Sequence, residues 1–228
     1  MNLKSFGCSF IFGSELADAI VENRILASNS TWPAHIAQHL GYNYCCYAKP
    51  GSGNLQILEQ VLAQAADSKN NDLFVISWTW IDRFDYYNSS LKGNKWNNWL
   101  TIGPNDENTL AKIYYQDLHS EYKDKFTTLL YIRLAVDTLQ QKNIPFVMTY
   151  TDELLFEQQW HTTPAVLELQ NYIQPHMNLF EDHTFLDWSR KNNYPIGKAW
   201  HPLEKAHAAA ADYMIKVFDK QKTNALAQ

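Results

Sequence analysis

Two residues far apart in the chain, Ser9 and His201, are of the types that carry out nucleophilic catalysis. A serine hydroxyl is a poor nucleophile until a base accepts its proton, and a histidine imidazole is a common base for that step. Ser9 follows Gly7-Cys8 at the end of a short apolar run, which predicts a turn between a strand and a helix. Such a turn presents the hydroxyl at a sheet edge, with its backbone N–H where negative charge is stabilised. The pair therefore predicts acyl transfer, with Ser9 as nucleophile and His201 as general base.

The loop Pro50-Gly51-Ser52-Gly53 could supply a further catalytic group. An oxyanion pocket needs two or three N–H donors, and Gly51 would let the backbone approach the reacting oxygen closely. Simpler interpretations stay open for both motifs. In these interpretations, Ser9 merely caps the following helix and Gly51 merely forms a tight turn.

The elements that must position these groups alternate between strand and helix. The continuous apolar run 73–78 is typical of a buried parallel strand, while Thr31, Pro33 and Gly41 mark the start and end of a helix. Other strands are predicted near 3–10 and over 42–48, 144–150 and 183–187, and other helices over 14–22, 55–66, 118–141, 164–177 and 205–220. This order predicts an α/β fold, a three-layer α/β/α sandwich around a parallel five-stranded sheet. We expect a single domain over residues 1–228, with an insertion rich in aromatic residues and asparagine at about 84–115.

Ligands of an open parallel sheet bind beyond the carboxyl ends of its strands. Four segments meet that condition, and each carries polar groups to one edge of the sheet. They are 7–10, 48–54, 78–80 and 200–202.

Together, these segments resemble the sequence blocks of the SGNH (GDSL-like) hydrolase superfamily over about Leu3 to Met214. The matching pieces are Gly7-Cys8-Ser9-Phe10, Ala48-Lys49-Pro50-Gly51, the strand ending at Thr79, and the seven residues from His201 to His207. The resemblance implies a flavodoxin-like fold and a serine esterase or deacylase without a cofactor. It assigns Ser9 as nucleophile, the N–H groups of Ser9 and Gly51 as oxyanion donors, and His201 as general base. At the position of Cys8 the family usually has Asp. With a cysteine before the serine, the chain is similar to a branch of uncharacterised proteins that are often encoded by bacteriophages.

The sequence departs from the family pattern at two positions. Thr79 stands where the family has an asparagine that donates to the oxyanion, and Lys198 stands where it has the acid, three residues before the histidine. A threonine hydroxyl could donate with a different reach, but a lysine cannot orient an imidazolium. Two replacements for the acid are open: Asp187, at the end of the predicted fifth strand, or a backbone carbonyl.

Composition and motifs exclude several classes of protein. The 228 residues have a formal charge of −5 and no basic run, so we expect no nucleic-acid partner. The longest apolar run is far below the ~18 residues that cross a bilayer, and the N-terminal run is short and interrupted, so we expect neither a membrane span nor a signal peptide.

Three cysteines, two of them adjacent, favour a reducing compartment, either a cytoplasm or, if the gene is from a bacteriophage, the host cytoplasm or a virion. Gln56 occupies the third glycine position of a dinucleotide fingerprint, which argues against a nicotinamide cofactor.

Other chemically capable residues have simpler interpretations. His35 and His39 are four apart on a predicted helix, but without a metalloprotease pattern they are expected to be solvated rather than to bind a metal. His207 is expected to form a structural hydrogen bond. The run Asp82–Asp85 is interpreted as a local ion pair at a helix start, with a binding clamp as the alternative.

Aromatic residues gather around the third strand and the insertion, where they could stack on a sugar or hold an acyl group, or could simply fill the core. They are Trp78, Trp80, Trp96, Trp99, Tyr86 and Tyr87. Trp78 and Trp80, with Asn54 of the second loop, are the predicted substrate-binding residues.

The leading hypothesis is an esterase that removes an ester-linked group, such as acetyl from a glycan, through an acyl-enzyme on Ser9. The main alternative is a hydrolase-derived binding module that recognises carbohydrate or protein and is associated with a virion. A metal-dependent hydrolase built from histidines ranks third. The sequence leaves the oligomeric state open.

Overall fold

The computed structural model describes residues 1–21, 24–68, 72–92 and 98–226, which form eight strands and eight α-helices. The strands are β1 (Asn2–Phe6), β2 (Ile20–Val21), β3 (Arg24–Ile25), β4 (Asn43–Cys46), β5 (Leu73–Trp78), β6 (Phe84–Tyr87), β7 (Trp99–Ile102) and β8 (Phe146–Tyr150). The helices are α1 (Ser9–Phe12), α2 (Trp32–Leu40), α3 (Asn54–Ala66), α4 (Thr109–Ile113), α5 (Glu121–Gln141), α6 (Pro164–Ile173), α7 (Phe185–Lys191) and α8 (Glu204–Leu226). Three 3-10 turns (Ala17–Ala19, Glu153–Leu155 and Gln174–His176) and one π-helical turn (Tyr114–Leu118) complete the described secondary structure.

Four strands form a central parallel sheet in the order β4-β1-β5-β8. In its register, Leu3 lies between Tyr44 on one side and Leu73 on the other. From β1 the chain first adds β4 on one side and then returns to add β5 on the other. The switch point of the topology therefore lies between the carboxyl ends of β1 and β5, where α/β proteins bind their ligands.

Strand β5 shows why helices cover both faces of the sheet. Phe74 and Ile76 pack into the core that includes residues of α3, α5 and α6, whereas Leu73 and Val75 pack into the core that includes residues of α2, α7 and α8. Successive side chains of a strand point to opposite faces, so an uninterrupted apolar strand needs a cover on each. The predicted α/β/α sandwich is confirmed.

Helix boundaries agree with the sequence where stop signals are strong. Helix α2 begins directly after Thr31 and ends before Gly41, which adopts a left-handed conformation (φ 66°) and donates its N–H to the Ala37 carbonyl. The other long helices lie within a few residues of their predicted positions, except that Gln174–His176 continues α6 as a 3-10 turn.

The predicted fifth strand over 183–187 is wrong, and the sheet has four strands. The segment instead starts helix α7, with Thr184 as its N-cap. The Thr184 hydroxyl accepts from the Asp187 N–H (3.3 Å) and donates to the Asp187 carboxylate (2.7 Å). Thr and an acidic residue three positions later form a capping box, a signal that outweighs the local apolar run.

The predicted helix over 14–22 is also wrong across the residues that the structure describes, and Glu22 lies outside them. A short helix starts earlier, at Ser9, and ends at Gly13, which is left-handed (φ 79°). Beyond it, Glu15 hydrogen-bonds Ala199 and His201, and the Ala17 N–H donates to the Glu204 carboxylate at 2.8 Å. These tertiary contacts replace the helical hydrogen bonds that the local spacing would favour.

The expected insertion contains an antiparallel hairpin, in which β6 pairs with β7 so that Phe84 faces Ile102, followed by α4 and the π-helical turn. Residues 93–97, which include Trp96, lie outside the described residues. Asp85 lies in β6, so the run Asp82–Asp85 belongs to a turn and a strand and not to a helix start.

Candidate active site

An open cleft of about 500 Å³ lies beyond the carboxyl ends of β1 and β5, at the switch point of the sheet. We call it the Ser9 cleft. It is lined by Ser9, Phe10, Trp80, Arg83, Leu186, Arg190, Ala199, Trp200 and His201. The fold thus brings Ser9 and His201 to one cavity from opposite ends of the sequence.

Ser9 is the first residue of α1, and only Gly7 and the N-cap Cys8 separate it from the end of β1. The next side chain, Phe10, contacts the His201 ring edge to face, with ring centroids 5.3 Å apart. In the described structure no hydrogen bond joins the Ser9 hydroxyl to the His201 ring. Catalytic hydrogen bonds are often long in unliganded enzymes and tighten around the substrate, so the two groups remain candidates for proton transfer.

Glu15 is the carboxylate that holds the His201 ring. Its Oε2 lies 2.8 Å from His201 Nδ1 and also accepts the N–H groups of Ala199 (2.9 Å) and His201 (3.3 Å). Burial alone would raise the pKa of Glu15, but these hydrogen bonds, with the His201 ring first among them, lower it below its usual value. An ionised carboxylate can only accept, so His201 carries its proton on Nδ1 and leaves Nε2 free to take one from an alcohol.

Glu15 is not among the site residues predicted from the sequence. It lies six residues after Ser9 in a segment that was predicted to be helical, and nothing in local spacing links it to a histidine near the other end of the chain. The sequence does contain one indirect signal, Lys198. Because a lysine stands where the family pattern has its acid, a carboxylate that contacts His201 must come from another part of the chain.

Asp187 is not the partner of His201, contrary to one of the two alternatives. Its carboxylate accepts the Thr184 hydroxyl and pairs with Arg190 at 3.2 Å, because it belongs to the capping box of α7. The second alternative, a backbone carbonyl, is also replaced by Glu15. Lys198 is exposed.

His207 has a structural hydrogen bond, as expected. It is fully buried, and its Nδ1 accepts the N–H of Trp32, the first residue of α2, at 3.0 Å. Burial first, and then the neighbouring His35 and His201, lower the pKa of His207 to about 3. A neutral imidazole therefore caps α2 in place of the Thr31 side chain, which makes no capping hydrogen bond.

Thr79 is buried and is not among the residues that line the Ser9 cleft. Its N–H donates to the Asn54 side-chain oxygen at 2.8 Å, and its hydroxyl accepts from Arg83 Nη1 at 3.1 Å. These contacts do not support Thr79 as an oxyanion donor; they place it behind Arg83, which does reach the cleft.

Asn54 and Trp78 are not positioned to bind substrate, contrary to the prediction. The Asn54 amide is buried, and it spans the Thr79 backbone by also donating to the Thr79 carbonyl at 3.1 Å. Trp78 is fully buried in the core, because it occupies an inward position at the end of β5. Trp80, two residues further, is half-buried and lines the cleft as predicted.

Gly51 lines an adjoining cleft of about 490 Å³, which shares Trp80 and Arg83 with the Ser9 cleft. Gly51 is left-handed (φ 79°). Among the hydrogen bonds of the described residues, none has the backbone N–H of Ser9 or of Gly51 as its donor. Asp82 and Asp106 also line this adjoining cleft.

The Gly51 loop is held by Asp85, which was not predicted as a helix cap. Its buried carboxylate accepts the backbone N–H groups of Gly53 and Gln56 at 2.9 Å each, and the side chains of Gln56 (2.8 Å) and Thr101 (2.6 Å). Asp85 thus caps α3 from strand β6. A Cβ on Gly53 would lie 2.6 Å from the carboxylate, so only glycine allows this approach.

Within the described residues, no three His, Cys, Asp or Glu side chains are grouped so that they could hold a metal ion. His35 and His39 line a separate surface cavity on α2 and α8. The three cysteines are free thiols. No described helix is long and apolar enough to cross a bilayer.

Comparison with known proteins relates this fold to a class of hydrolases. No family model matches the chain, and no curated protein matches its sequence. Solved structures do match: a G-D-S-L family lipolytic protein from Veillonella parvula (12% identity, 96% of this chain and 98% of that one, TM-score 0.53) and the psychrotrophic esterase EstA from Pseudoalteromonas sp. (11%, 97% and 98%, TM-score 0.52). An acetyl xylan esterase, Est2A, from Butyrivibrio proteoclasticus also matches (13%, 97% of this chain and 64% of that one, TM-score 0.52). The chain therefore has the SGNH/GDSL hydrolase fold that the sequence blocks resemble.

Proposed function

We propose that this chain is a serine esterase that forms an acyl-enzyme on Ser9. The observation that carries the proposal is the 2.8 Å hydrogen bond between Glu15 Oε2 and His201 Nδ1, at the cleft that Ser9 also lines. An ionised carboxylate on one ring nitrogen fixes the tautomer and stabilises the imidazolium that forms when the other nitrogen takes a proton. The relationship of the fold to esterases supports the same reaction.

In the first half of the reaction, the Ser9 hydroxyl oxygen attacks the ester carbonyl while His201 Nε2 accepts its proton. The resulting oxyanion is stabilised by the N–H groups of Ser9 and Gly51. Collapse of the tetrahedral intermediate breaks the bond to the alcohol, which leaves with the proton from His201. In the second half, His201 takes a proton from water while the hydroxide attacks the acyl carbonyl. Collapse of this second intermediate breaks the bond to the Ser9 oxygen, His201 returns its proton to that oxygen, and the carboxylic acid leaves.

For the substrate, we propose an ester on a carbohydrate, such as an O-acetyl group. One matching structure is an acetyl xylan esterase. Two tryptophans, Trp80 and Trp200, line the Ser9 cleft, and 66% of the Trp200 surface is exposed. Exposed aromatic faces beside a reactive serine suit a sugar ring, since they bind its apolar face without enclosing it.

The experiment that tests this function combines a fluorophosphonate probe with hydrolysis of para-nitrophenyl acetate. We expect the probe to label Ser9, because only an activated serine reacts, and we expect Ser9→Ala to abolish both labelling and turnover. Ser90→Ala, a change of an exposed serine in the β6–β7 hairpin, is the matched control and should behave as wild type. Turnover by Ser9→Ala equal to wild type would contradict the mechanism.

A second candidate function is a binding module without catalysis. The missing hydrogen bond between Ser9 and His201 in the described structure favours it, as does the exposure of Trp200. Under this alternative the probe leaves the protein unlabelled, while soluble acetylated and unmodified glycans bind with equal affinity.

A further inference from the structure

The Ser9 cleft has a positive lining in a protein whose net charge is −5. Two of its wall residues, Arg83 and Arg190, carry a positive charge, and no carboxylate is among the residues that line it. Glu15 lies behind His201, where its Oε2 is engaged by three N–H donors. The acidic wall residues Asp82 and Asp106 belong to the adjoining cleft. Two arginines and no carboxylate therefore line the cleft in which the proposed ester would lie.

Arg83 is held in place without being neutralised by a hydrogen-bonded carboxylate. Its Nη1 donates to the Ser52 carbonyl at 2.9 Å and to the Thr79 hydroxyl at 3.1 Å, and both of these oxygens are uncharged. Its guanidinium also stacks on the Trp80 ring, 4.7 Å from the centroid. One side of the guanidinium is thus fixed, and the donors on Nη2 and Nε remain for a ligand. A planar guanidinium offers a fork that matches the oxygens of carboxylate or phosphate.

Arg190, the second arginine that lines the cleft, also lies over a tryptophan ring. It lies near the end of α7 with its guanidinium 5.3 Å from the centroid of Trp200, and it forms an exposed ion pair with Asp187 at 3.2 Å. Trp200 adopts a left-handed backbone conformation (φ 65°), which is costly for a bulky residue and is held here by the turn between Gly197 and His201. The strained turn projects the indole over the cleft and so provides a platform for the second arginine.

We infer that the ester accepted by this site carries a negatively charged group, a carboxylate or a phosphate, which is bound between Arg83 and Arg190. The inference rests on the proposed esterase function and specifies its substrate class. Arg83 is the main contact because the oxygens to which it is hydrogen-bonded are uncharged and Asp82 acts on it only through longer-range attraction. Arg190, which is ion-paired with Asp187, adds a second positive charge that salt screens more strongly. An acetylated acidic sugar combines the required anion with a ring for the tryptophans, and an acylated phosphate ester provides the anion alone.

A hydrogen bond from a charged donor to an anion contributes about 10- to 100-fold in binding or specificity. The test compares kcat/KM for three acetate esters: those of para-hydroxybenzoate, of its neutral methyl ester, and of para-hydroxyphenyl phosphate. We expect wild type to prefer at least one anionic ester, and Arg83→Gln to reduce the ratio of anionic to neutral kcat/KM by about 10-fold or more. The ratio of anionic to neutral kcat/KM measured for the variant is then divided by the same ratio for wild type. This division cancels the difference in intrinsic reactivity between the esters. Which of the two anionic esters shows the larger change distinguishes a carboxylate from a phosphate.

Arg133→Gln is the matched control. Arg133 is also an arginine stacked on an aromatic ring, 4.7 Å from the Tyr172 centroid, and also paired with a carboxylate, that of Asp137, but it lies on α5 away from the Ser9 cleft. We expect Arg133→Gln to have the same ratio of anionic to neutral kcat/KM as wild type. Arg190→Gln changes an exposed side chain and keeps the test valid if Arg83→Gln fails to fold. We expect it to reduce the ratio by a smaller factor that disappears at high salt.

A binding measurement separates failure of this inference from failure of the proposed function. In Ser9→Ala, which cannot form an acyl-enzyme, calorimetry compares the affinity of the carboxylate ester with that of its neutral methyl ester. Tighter binding of the anion that is lost with Arg83→Gln supports the inference whether or not wild type hydrolyses esters. Equal binding of both esters, or an anionic preference that survives both arginine substitutions, overturns it. Failure of the fluorophosphonate to label wild type refutes the esterase reaction separately.

Discussion

Glu15 gives the site a carboxylate from a position that the family pattern does not provide. Where the pattern has an acid three residues before the histidine, this chain has Lys198, and the carboxylate comes instead from the segment that follows Ser9. Two backbone N–H groups of the His201 turn, those of Ala199 and His201, complete its binding. Glu15 therefore positions both the imidazole ring and the loop that carries it.

Glu15→Gln should reduce kcat by about 10²- to 10⁴-fold, with KM little changed, because the amide cannot stabilise the imidazolium that forms in the transition state. Glu15→Asp keeps the charge and should restore part of the loss, which a purely structural role would not produce. The measurement is steady-state hydrolysis of para-nitrophenyl acetate. Glu121→Gln is the control, since Glu121 also contacts a histidine, His161, at 2.8 Å, but on the surface. A wild-type kcat for Glu15→Gln would eliminate the assignment.

Gly197 tests the same contact through the backbone. A Cβ at this position would lie 2.5 Å from the Glu15 carboxylate. Because the end of a glutamate side chain can move, we expect Gly197→Ala to fold with a melting temperature close to that of wild type while kcat falls by about 10-fold or more. Thermal melts and turnover measured on the same sample separate the two effects. A large drop in melting temperature with unchanged kcat would be the opposite of this expectation.

At this scale the sequence could identify residues by chemical type but not by their partners. Ser9 and His201 were found because each follows a recognisable block, and the fold brings them to one cleft. Glu15, Asn54 and Trp78 could not be assigned correctly. Their roles depend on tertiary contacts or on where a strand ends: Trp78 is the last residue of β5 and is buried in the core, whereas Trp80, two residues further and beyond the strand, lines the cleft.

Asp85 illustrates how one element can position another. It lies in β6, yet it caps α3 and so fixes the loop that carries Gly51. Removing a buried acceptor leaves its donors without partners, so Asp85→Ala should lower the free energy of unfolding by about 2–4 kcal/mol. Urea denaturation measures this loss. Asp137→Ala removes an exposed carboxylate and should cost less than about 1 kcal/mol, and a similarly small value for Asp85→Ala would show that it is not a cap.

Elements with strong terminal signals were predictable, and those controlled by distant contacts were not. Helix α2 follows from Thr31, Pro33 and Gly41 alone. A strand was predicted where α7 lies, because the prediction gave the short apolar run more weight than the capping box of Thr184 and Asp187. The segment after Gly13 has helical spacing, but its polar groups bind the 199–204 turn and Glu204, and those contacts cannot be read locally.

On the scale of the whole molecule, His207 links stability to pH. Its pKa is lowered to about 3 in the folded chain and is near 6.5 when unfolded, so the unfolded state binds the extra proton between those values. The free energy of unfolding should therefore fall as the pH drops below about 6.5, by up to about 1.4 kcal/mol per pH unit from this group. The loss should continue until the pH approaches the folded value.

His207→Asn, which retains an acceptor for the Trp32 N–H, should remove this contribution and give a flatter profile in urea denaturation at a series of pH values. Its stability at neutral pH should be lower, because the smaller side chain leaves a cavity. His39→Asn is the control and should keep the wild-type slope, since His39 is exposed. An unchanged slope for His207→Asn would assign the acid sensitivity to other groups.

The three-layer architecture was the most predictable feature, since alternation of apolar strands with helices restricts the chain to few arrangements. The number of strands and the exact bounds of the hairpin insertion were not predictable. Contacts with neighbouring elements decide whether a short segment forms a strand or a helix.

All four strands of the central sheet lie within the first 150 residues, whereas His201 comes much later in the chain. During synthesis, a ribosome would thus carry a polypeptide that already has Ser9, Glu15 and the complete sheet, but not the histidine that is the base in the proposed mechanism. Under that mechanism, Ser9 stays unreactive towards esters until the last part of the chain has been translated. A fluorophosphonate added to stalled ribosomes should mark only nascent chains from which the 197–204 turn has emerged.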